Sequence, residues 1–73
     1  MKQISSYTVI AVSTDHKYGP PVLLGAAWNG KQFVYVTARV DPDWENATEW
    51  YWGNYFGTLE EAVASYKSRR EID

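Results

Sequence analysis

The sequence predicts an α+β fold: a four-stranded antiparallel β-meander with one C-terminal α-helix packed on one face. Before residue 57, apolar and polar residues alternate along several segments that are rich in β-branched and aromatic side chains. Clusters of Gly, Pro, Asn and Asp separate these segments, and beyond residue 57 the apolar spacing becomes that of a helix. A chain of 73 residues forms a single domain, 1–73, because it has room for one small core.

The first strand is predicted at residues 6–14, which read Ser-Tyr-Thr-Val-Ile-Ala-Val-Ser-Thr. A polar stretch that begins with Asp15 and His16 follows, and it ends in Pro20 and Pro21. Proline cannot donate to a strand ladder, so the strand must end there in a loop.

Residues 22–28 and 32–40 are predicted to pair as a hairpin across Asn29-Gly30. These two residue types tolerate the positive φ angles of a two-residue type I′ turn. Such a turn would place Trp28 opposite Lys31 and Ala26 opposite Phe33. In the later strand one face is entirely aliphatic and is the predicted core face; it consists of Val34, Val36, Ala38 and Val40.

Residues 48–56 form the predicted fourth strand, in which nearly every position is aromatic and Gly53 indicates a bulge or a close backbone approach. Thr58 and Glu61 then form a capping box that begins the helix. The predicted buried stripe of this helix is Leu59, Ala62, Val63 and Tyr66.

One helix can cover only one face of the sheet, so the other face is predicted to be open to solvent. The chain has 4 Trp, 6 Tyr and 2 Phe, which is more ring surface than one short helix can bury. Several rings should therefore reach the open face or the sheet edges; the candidates are Tyr7, Trp28, Phe33, Tyr35, Trp50 and Trp52.

The residue inventory argues against an enzyme. With no Cys there is no disulfide or thiolate, and the single His16 cannot supply a zinc site. Asp15-His16 is interpreted as a polar turn, because adjacent residues in a loop do not form a held acid–base pair. The five glycines do not cluster into a phosphate-binding loop. The run Asp41-Pro42-Asp43-Trp44-Glu45 lacks the sixth-position glycine and the distal glutamate of a calcium loop. We therefore expect no catalytic residue, no metal and no cofactor.

The charges are segregated along the chain. Residues 41–61 contain six carboxylates and no Lys or Arg, although the net charge of the whole chain is only -2. These carboxylates are Asp41, Asp43, Glu45, Glu49, Glu60 and Glu61. One interpretation is a solvated loop followed by an acidic first helical turn, which the helix dipole favours. The other is an acidic face that meets a basic partner.

Aromatic residues lie among these carboxylates, and Trp and Tyr are the side chains that most often anchor protein interfaces. The predicted function is therefore protein binding through an acidic, aromatic-rich surface, and the predicted partner is a protein with a basic surface. The predicted partner-binding residues are Asp41, Asp43, Trp44, Glu45, Glu49, Trp50 and Trp52.

Two alternatives remain. The first is binding of single-stranded nucleic acid on an open sheet face, where the bases would stack on Phe33 and Tyr35 and Arg39 would neutralise a phosphate. The net negative charge of the chain disfavours a nucleic-acid partner. A second copy of the chain could instead cover the exposed rings as a homodimer.

With no Cys, no leader and no long apolar segment, a cytoplasmic protein without membrane contact is expected.

Residues 51–62 read Tyr-Trp-Gly-Asn-Tyr-Phe-Gly-Thr-Leu-Glu-Glu-Ala and are followed by Tyr66 and Arg69 or Arg70. This C-terminal third resembles the ending of small uncharacterised proteins from bacterial phages and mobile elements, which have a Trp-Gly-x-Tyr-Phe strand followed by a short acidic link and a helix. The resemblance implies a strand-to-helix corner, a mobile-element origin and an inhibitor or regulator of a host protein, so that the expected partner is a host or viral protein. It implies no catalytic residue. Seven basic residues distinguish the chain from strongly acidic DNA mimics.

Overall fold

The computed structural model describes residues 3–13 and 20–72. The predicted Asp15-His16 turn and Thr14, the predicted last residue of the first strand, lie outside the described residues. The α+β class, the antiparallel sheet and the C-terminal helix are confirmed, but the sheet has five strands in the order β1-β2-β3-β4-β5 rather than four. The strands are β1 Gln3–Ile4, β2 Tyr7–Val12, β3 Val22–Trp28, β4 Phe33–Arg39 and β5 Tyr51–Phe56. A short 3-10 helix spans Trp44–Asn46, and the helix α1 spans Leu59–Ile72.

The strand absent from the prediction is β1. It has two residues and pairs with β2 across Ser5 and Ser6, whose φ angles of 52° and 71° are both positive. Two positive φ angles are what a two-residue type I′ turn requires. A strand of two residues has no alternating pattern, and a Ser-Ser pair is not the residue pair typical of this turn, so neither feature was recognisable in the sequence.

The β3–β4 hairpin has the predicted strands but a different register. Trp28 pairs with Phe33 rather than with Lys31, so the predicted register is wrong by two residues. The Asn29 side chain explains the longer connection, because its Oδ1 accepts from the backbone N–H groups of Lys31 at 2.9 Å and Gln32 at 3.0 Å. A two-residue shift leaves every side chain on its predicted face.

Of the predicted core face, Val36, Ala38 and Val40 are buried and Val34 is half-buried, but α1 does not cover this face. Thr37 Oγ1 and Ser65 Oγ are hydrogen-bonded at 2.9 Å, and Arg39 also bonds to α1, so the helix packs on the face that contains Thr37 and Arg39. Val36, Ala38 and Val40 alternate with these residues and face the other way.

The aliphatic face is covered by the chain between β4 and β5. Its buried cluster is Ile4, Val9, Leu23, Val36, Ala38 and Val40. Trp44, Ala47 and Trp50 pack against this cluster from residues 41–50, together with Tyr7 and Val12 of β2. The face opposite the helix is therefore not open as predicted, because Trp44, Ala47 and Trp50 pack against it.

The helix begins as predicted. The backbone N–H of Glu61 donates to Thr58 Oγ1 at 3.3 Å, and the Thr58 hydroxyl donates to Glu61 Oε1 at 2.9 Å. Ala62 is buried and Val63 is half-buried, but Leu59 is 47% exposed and does not belong to the buried stripe. Within the described part of the chain, α1 is the longest helix, and its fourteen residues are too few to cross a bilayer.

Candidate functional site

Residues 41–50 leave β4, cross the aliphatic face and return as β5. Local hydrogen bonds shape this segment: Asn46 Nδ2 donates to Asp43 Oδ1 at 3.0 Å and to Oδ2 at 3.1 Å, and the backbone N–H of Ala47 donates to the Trp44 carbonyl at 3.1 Å. The Ser5 hydroxyl donates to the Thr48 carbonyl at 3.5 Å and connects the segment to the β1–β2 turn. The acidic stretch is therefore a shaped loop that packs on the sheet.

Two of the predicted site tryptophans contribute to the core. Trp44 and Trp50 are half-buried against the aliphatic cluster, and the Trp50 ring meets the Tyr7 ring edge-on with the centroids 5.3 Å apart. A Cβ placed on Gly53 would lie 3.1 Å from Trp50 Nε1, so the glycine gives this indole its space. Gly53 thus makes the close approach that the sequence predicted.

The acidic loop lines a groove. The groove has a volume of about 420 Å³. It is lined by Asp41, Asp43, Asn46, Ala47, Thr48, Glu49, Trp50 and Tyr51. Three of these residues are carboxylates and two are aromatic, a combination that can pair with a cation and also contact the hydrocarbon stem that bears it.

A bulge in β5 lies beside the groove. Tyr51 pairs with Arg39 and Asn54 with Thr37, so Trp52 and Gly53 together oppose Ala38. The bulge predicted at Gly53 is confirmed, yet the positive φ of 55° belongs to Trp52. A left-handed conformation costs an L-residue about 1–2 kcal/mol, which indicates that other contacts hold this backbone.

Trp52 is 71% exposed, and its ring meets the Tyr51 ring edge-on, with the centroids 5.3 Å apart. Because Tyr51 also lines the groove, this ring pair continues the groove onto the outer surface. We call Asp41, Asp43, Glu49, Trp50, Tyr51 and Trp52 together the acidic aromatic surface.

The predicted site residues are distributed as follows. Asp41, Asp43 and Glu49 are exposed and come together in the groove with the half-buried Trp50. Glu45 is exposed on the 3-10 helix and does not line the groove. Trp44 packs against the core, and Trp52 lies at the bulge. Four further residues line the groove, namely Asn46, Ala47, Thr48 and Tyr51. Of these, Tyr51 is aromatic, and its place among the carboxylates and tryptophans of residues 41–52 was visible in the sequence.

Two arginines have structural roles that the sequence analysis did not foresee. Arg39 is 3% exposed; its Nη1 donates to the Pro20 carbonyl and its Nη2 donates to the Arg69 carbonyl at 3.3 Å. Arg69 is 9% exposed, and its Nη2 donates to the Trp52 carbonyl at 2.6 Å. The helical spacing of Arg69 from Ala62 and Tyr66 was the sequence pattern that could have placed it on the inner face.

A second exposed ring pair lies at the hairpin end. The rings of Trp28 and Phe33 are both exposed and meet edge-on, with the centroids 5.2 Å apart. Arg39 was the predicted cation for binding single-stranded nucleic acid. It is buried and cannot contribute a surface charge beside the rings of Trp28 and Phe33.

Within the part of the chain that the structure describes, no group of three or more His, Asp or Glu side chains is arranged to hold a metal ion. Comparisons of the chain with protein-family models, curated proteins and solved structures give no match.

Proposed function

We propose that this chain is a non-enzymatic protein-binding module whose acidic aromatic surface captures a basic segment of a partner protein. The observation that supports this most directly is the groove, in which Asp41, Asp43 and Glu49 lie around Trp50 and Tyr51. Carboxylates attract the cation and orient its approach, while aromatic residues supply contact area at low entropic cost.

An arginine side chain fits this chemistry better than a lysine. Its planar guanidinium can pair with a carboxylate through two parallel hydrogen bonds and can also stack on an aromatic ring. The exposed Trp52 ring lies next to Tyr51 and can contact the residues that flank the arginine. The partner segment would therefore combine basic and apolar residues.

The biological setting is part of the same proposal. The resemblance of residues 51–62 to proteins of phages and mobile elements supports an inhibitor or regulator that binds a host or viral protein. The absence of cysteine from the sequence is compatible with a reducing compartment such as the cytoplasm.

A fluorescence titration with matched peptides tests the proposal. The three peptides are identical except that a central residue is Arg, Lys or the uncharged isostere citrulline. We expect the Arg peptide to bind most tightly, with an affinity that falls as salt rises. Equal binding of the Arg and citrulline peptides, or no binding of any basic peptide, would refute the proposed function.

Single-stranded nucleic acid remains the competing candidate, and the same assay separates the two. Trp28 and Phe33 offer stacking surface, but the buried Arg39 leaves the alternative without its predicted cation. We expect no salt-dependent quenching of tryptophan fluorescence by an oligonucleotide. Quenching that the variant Phe33→Ser abolishes would favour the nucleic-acid function instead.

A further inference from the structure

The backbone of Trp52 decides where the most exposed ring of the acidic aromatic surface points. Because the Trp52 side chain is largely solvent-exposed, packing restrains it weakly. Its direction follows from the bulge, in which Trp52 has a φ of 55° and no paired residue on β4. The contacts that hold the backbone of this bulge therefore also determine the position of the Trp52 ring in the acidic aromatic surface.

The Trp52 carbonyl is bonded to the helix. Arg69 Nη2 donates to it at 2.6 Å from the inner face of α1. A hydrogen bond from a guanidinium is charge-assisted, and it is stronger still where neighbouring groups exclude water. Arg69 is buried and Trp52 is exposed, so the bond is part-buried and joins the interior of the protein to the bulge.

Arg69 is itself held by the sheet. Its carbonyl accepts from Arg39 Nη2 at 3.3 Å, and Arg39 pairs with Tyr51 in the β4–β5 ladder. Arg39 Nη1 also donates to the Pro20 carbonyl. The two arginines thus connect the last turns of α1 to the two neighbouring residues whose rings form the Tyr51–Trp52 pair.

We propose that Arg69 is the positioning residue of the acidic aromatic surface. Its guanidinium holds Trp52 in the left-handed conformation and thereby sets the position of the Trp52 ring against Tyr51. The bond from Arg69 to the Trp52 carbonyl forms without any ligand. That this bond matters for partner binding rests on the proposed function.

Backbone NMR of the full chain tests the positioning role without a partner. The Cα and Cβ chemical shifts of Trp52 report its φ and ψ. In Arg69→Met, which keeps the length of the stem but removes the donors, we expect these shifts to move from left-handed towards extended values and the contacts between the Tyr51 and Trp52 rings to be lost. Arg69→Lys, which retains one charged donor group, should restore part of the wild-type shifts.

Lys67→Met is the matched control, because Lys67 is exposed on the same helix. It should leave the Trp52 shifts unchanged. Unchanged Trp52 shifts in Arg69→Met, or an equal change in Lys67→Met, would overturn the proposal.

A measurement on the wild-type protein covers the case in which Arg69→Met does not fold. If the bond is present, the Arg69 Nη2 protons should exchange slowly and show contacts to Trp52 and Gly53. A freely rotating Arg69 guanidinium that exchanges quickly would refute the positioning role.

Peptide titrations of the same variants separate the two proposals. If wild type binds the Arg peptide and Arg69→Met binds it more weakly with shifted Trp52 resonances, both proposals stand. If the resonances shift but wild type binds no basic peptide, the proposed function fails and the positioning role of Arg69 remains.

Discussion

Gly53 and Trp52 meet two separate requirements of the bulge in β5. Gly53 leaves space for the Trp50 indole, and Trp52 adopts the positive φ that the bulge needs. A positive φ is easier for glycine than for tryptophan, so local preference alone would assign these roles the other way round. The bond from Arg69 and the packing of Trp50 decide the arrangement.

Gly53→Ala should destabilise the fold, because the new methyl group would meet Trp50 Nε1 at 3.1 Å. Overpacking of this kind costs about 1–3 kcal/mol in the free energy of unfolding. Gly57→Ala is the control, since a Cβ there meets nothing within 4 Å. Urea denaturation measures both variants; equal stabilities would show that Trp50 moves aside at no cost.

Substitutions of Trp50 and Trp52 should have different effects, the first on the free energy of unfolding and the second on the affinity for the Arg peptide. Trp50→Ala removes a half-buried ring from the core and should cost about 2–4 kcal/mol, below the value for a fully buried tryptophan. Trp52→Ala keeps the left-handed position occupied by an L-residue and should change stability by less than about 1 kcal/mol. Its effect should appear in the affinity for the Arg peptide.

Thermal unfolding and peptide titration of the two variants check this separation. A large loss of stability in Trp52→Ala would place that ring in the core and remove it from the binding surface.

At the scale of elements, local patterns predicted most of the strands. β3 has its predicted bounds, β4 lies within the predicted segment, and the helix begins at its predicted capping box. These features depend on neighbouring residues and on periodicity, both of which are visible in a sequence.

The register of the hairpin was not predictable from the Asn-Gly pair alone. Asn29 has two possible roles: it can occupy a type I′ turn with its backbone, or it can accept backbone N–H groups with its side chain. In this hairpin the side chain accepts two such bonds and the connection lengthens to residues 29–32. Both outcomes satisfy the same sequence pattern.

The capping box gives a test of the helix as an element. Thr58→Ala should remove the acceptor for the Glu61 N–H and cost about 0.5–2 kcal/mol. Thr58→Ser retains the hydroxyl and should cost much less. Chemical denaturation compares the two variants, and equal losses would show that the threonine methyl group, rather than the cap, stabilises the helix start.

At the scale of the whole molecule, the sheet is covered on both faces by different means. The helix covers one face, and residues 41–50 cover the other with Trp44 and Trp50. The composition showed that there were too many rings for one helix, but it did not show that the acidic loop would fold back over the sheet. That outcome depends on long-range packing of Trp44 and Trp50 against Val36 and its neighbours, which no local pattern encodes.

The predicted site likewise has residues that the sequence could place together and one contact that depends on the fold. Proximity in the sequence was enough to place Asp41, Asp43, Glu49 and Trp50 in one groove. The contribution of Arg69 comes from seventeen residues beyond Trp52 and depends on the way α1 crosses the sheet. In the sequence, Arg69 is one of two arginines that follow the strand-to-helix corner, and its burial was not predicted.

The most direct test of the account is the affinity of the Arg peptide for two double variants with the same change in charge, measured by isothermal titration calorimetry. Asp41→Asn/Glu49→Gln removes two groove carboxylates, whereas Glu45→Gln/Glu60→Gln removes two exposed carboxylates outside the groove. We expect a loss of up to about fivefold in affinity for each groove carboxylate, since exposed ion pairs contribute about 0.2–1 kcal/mol each, and little change in the control. Equal losses in both variants would mean that only overall charge matters and would contradict a binding groove.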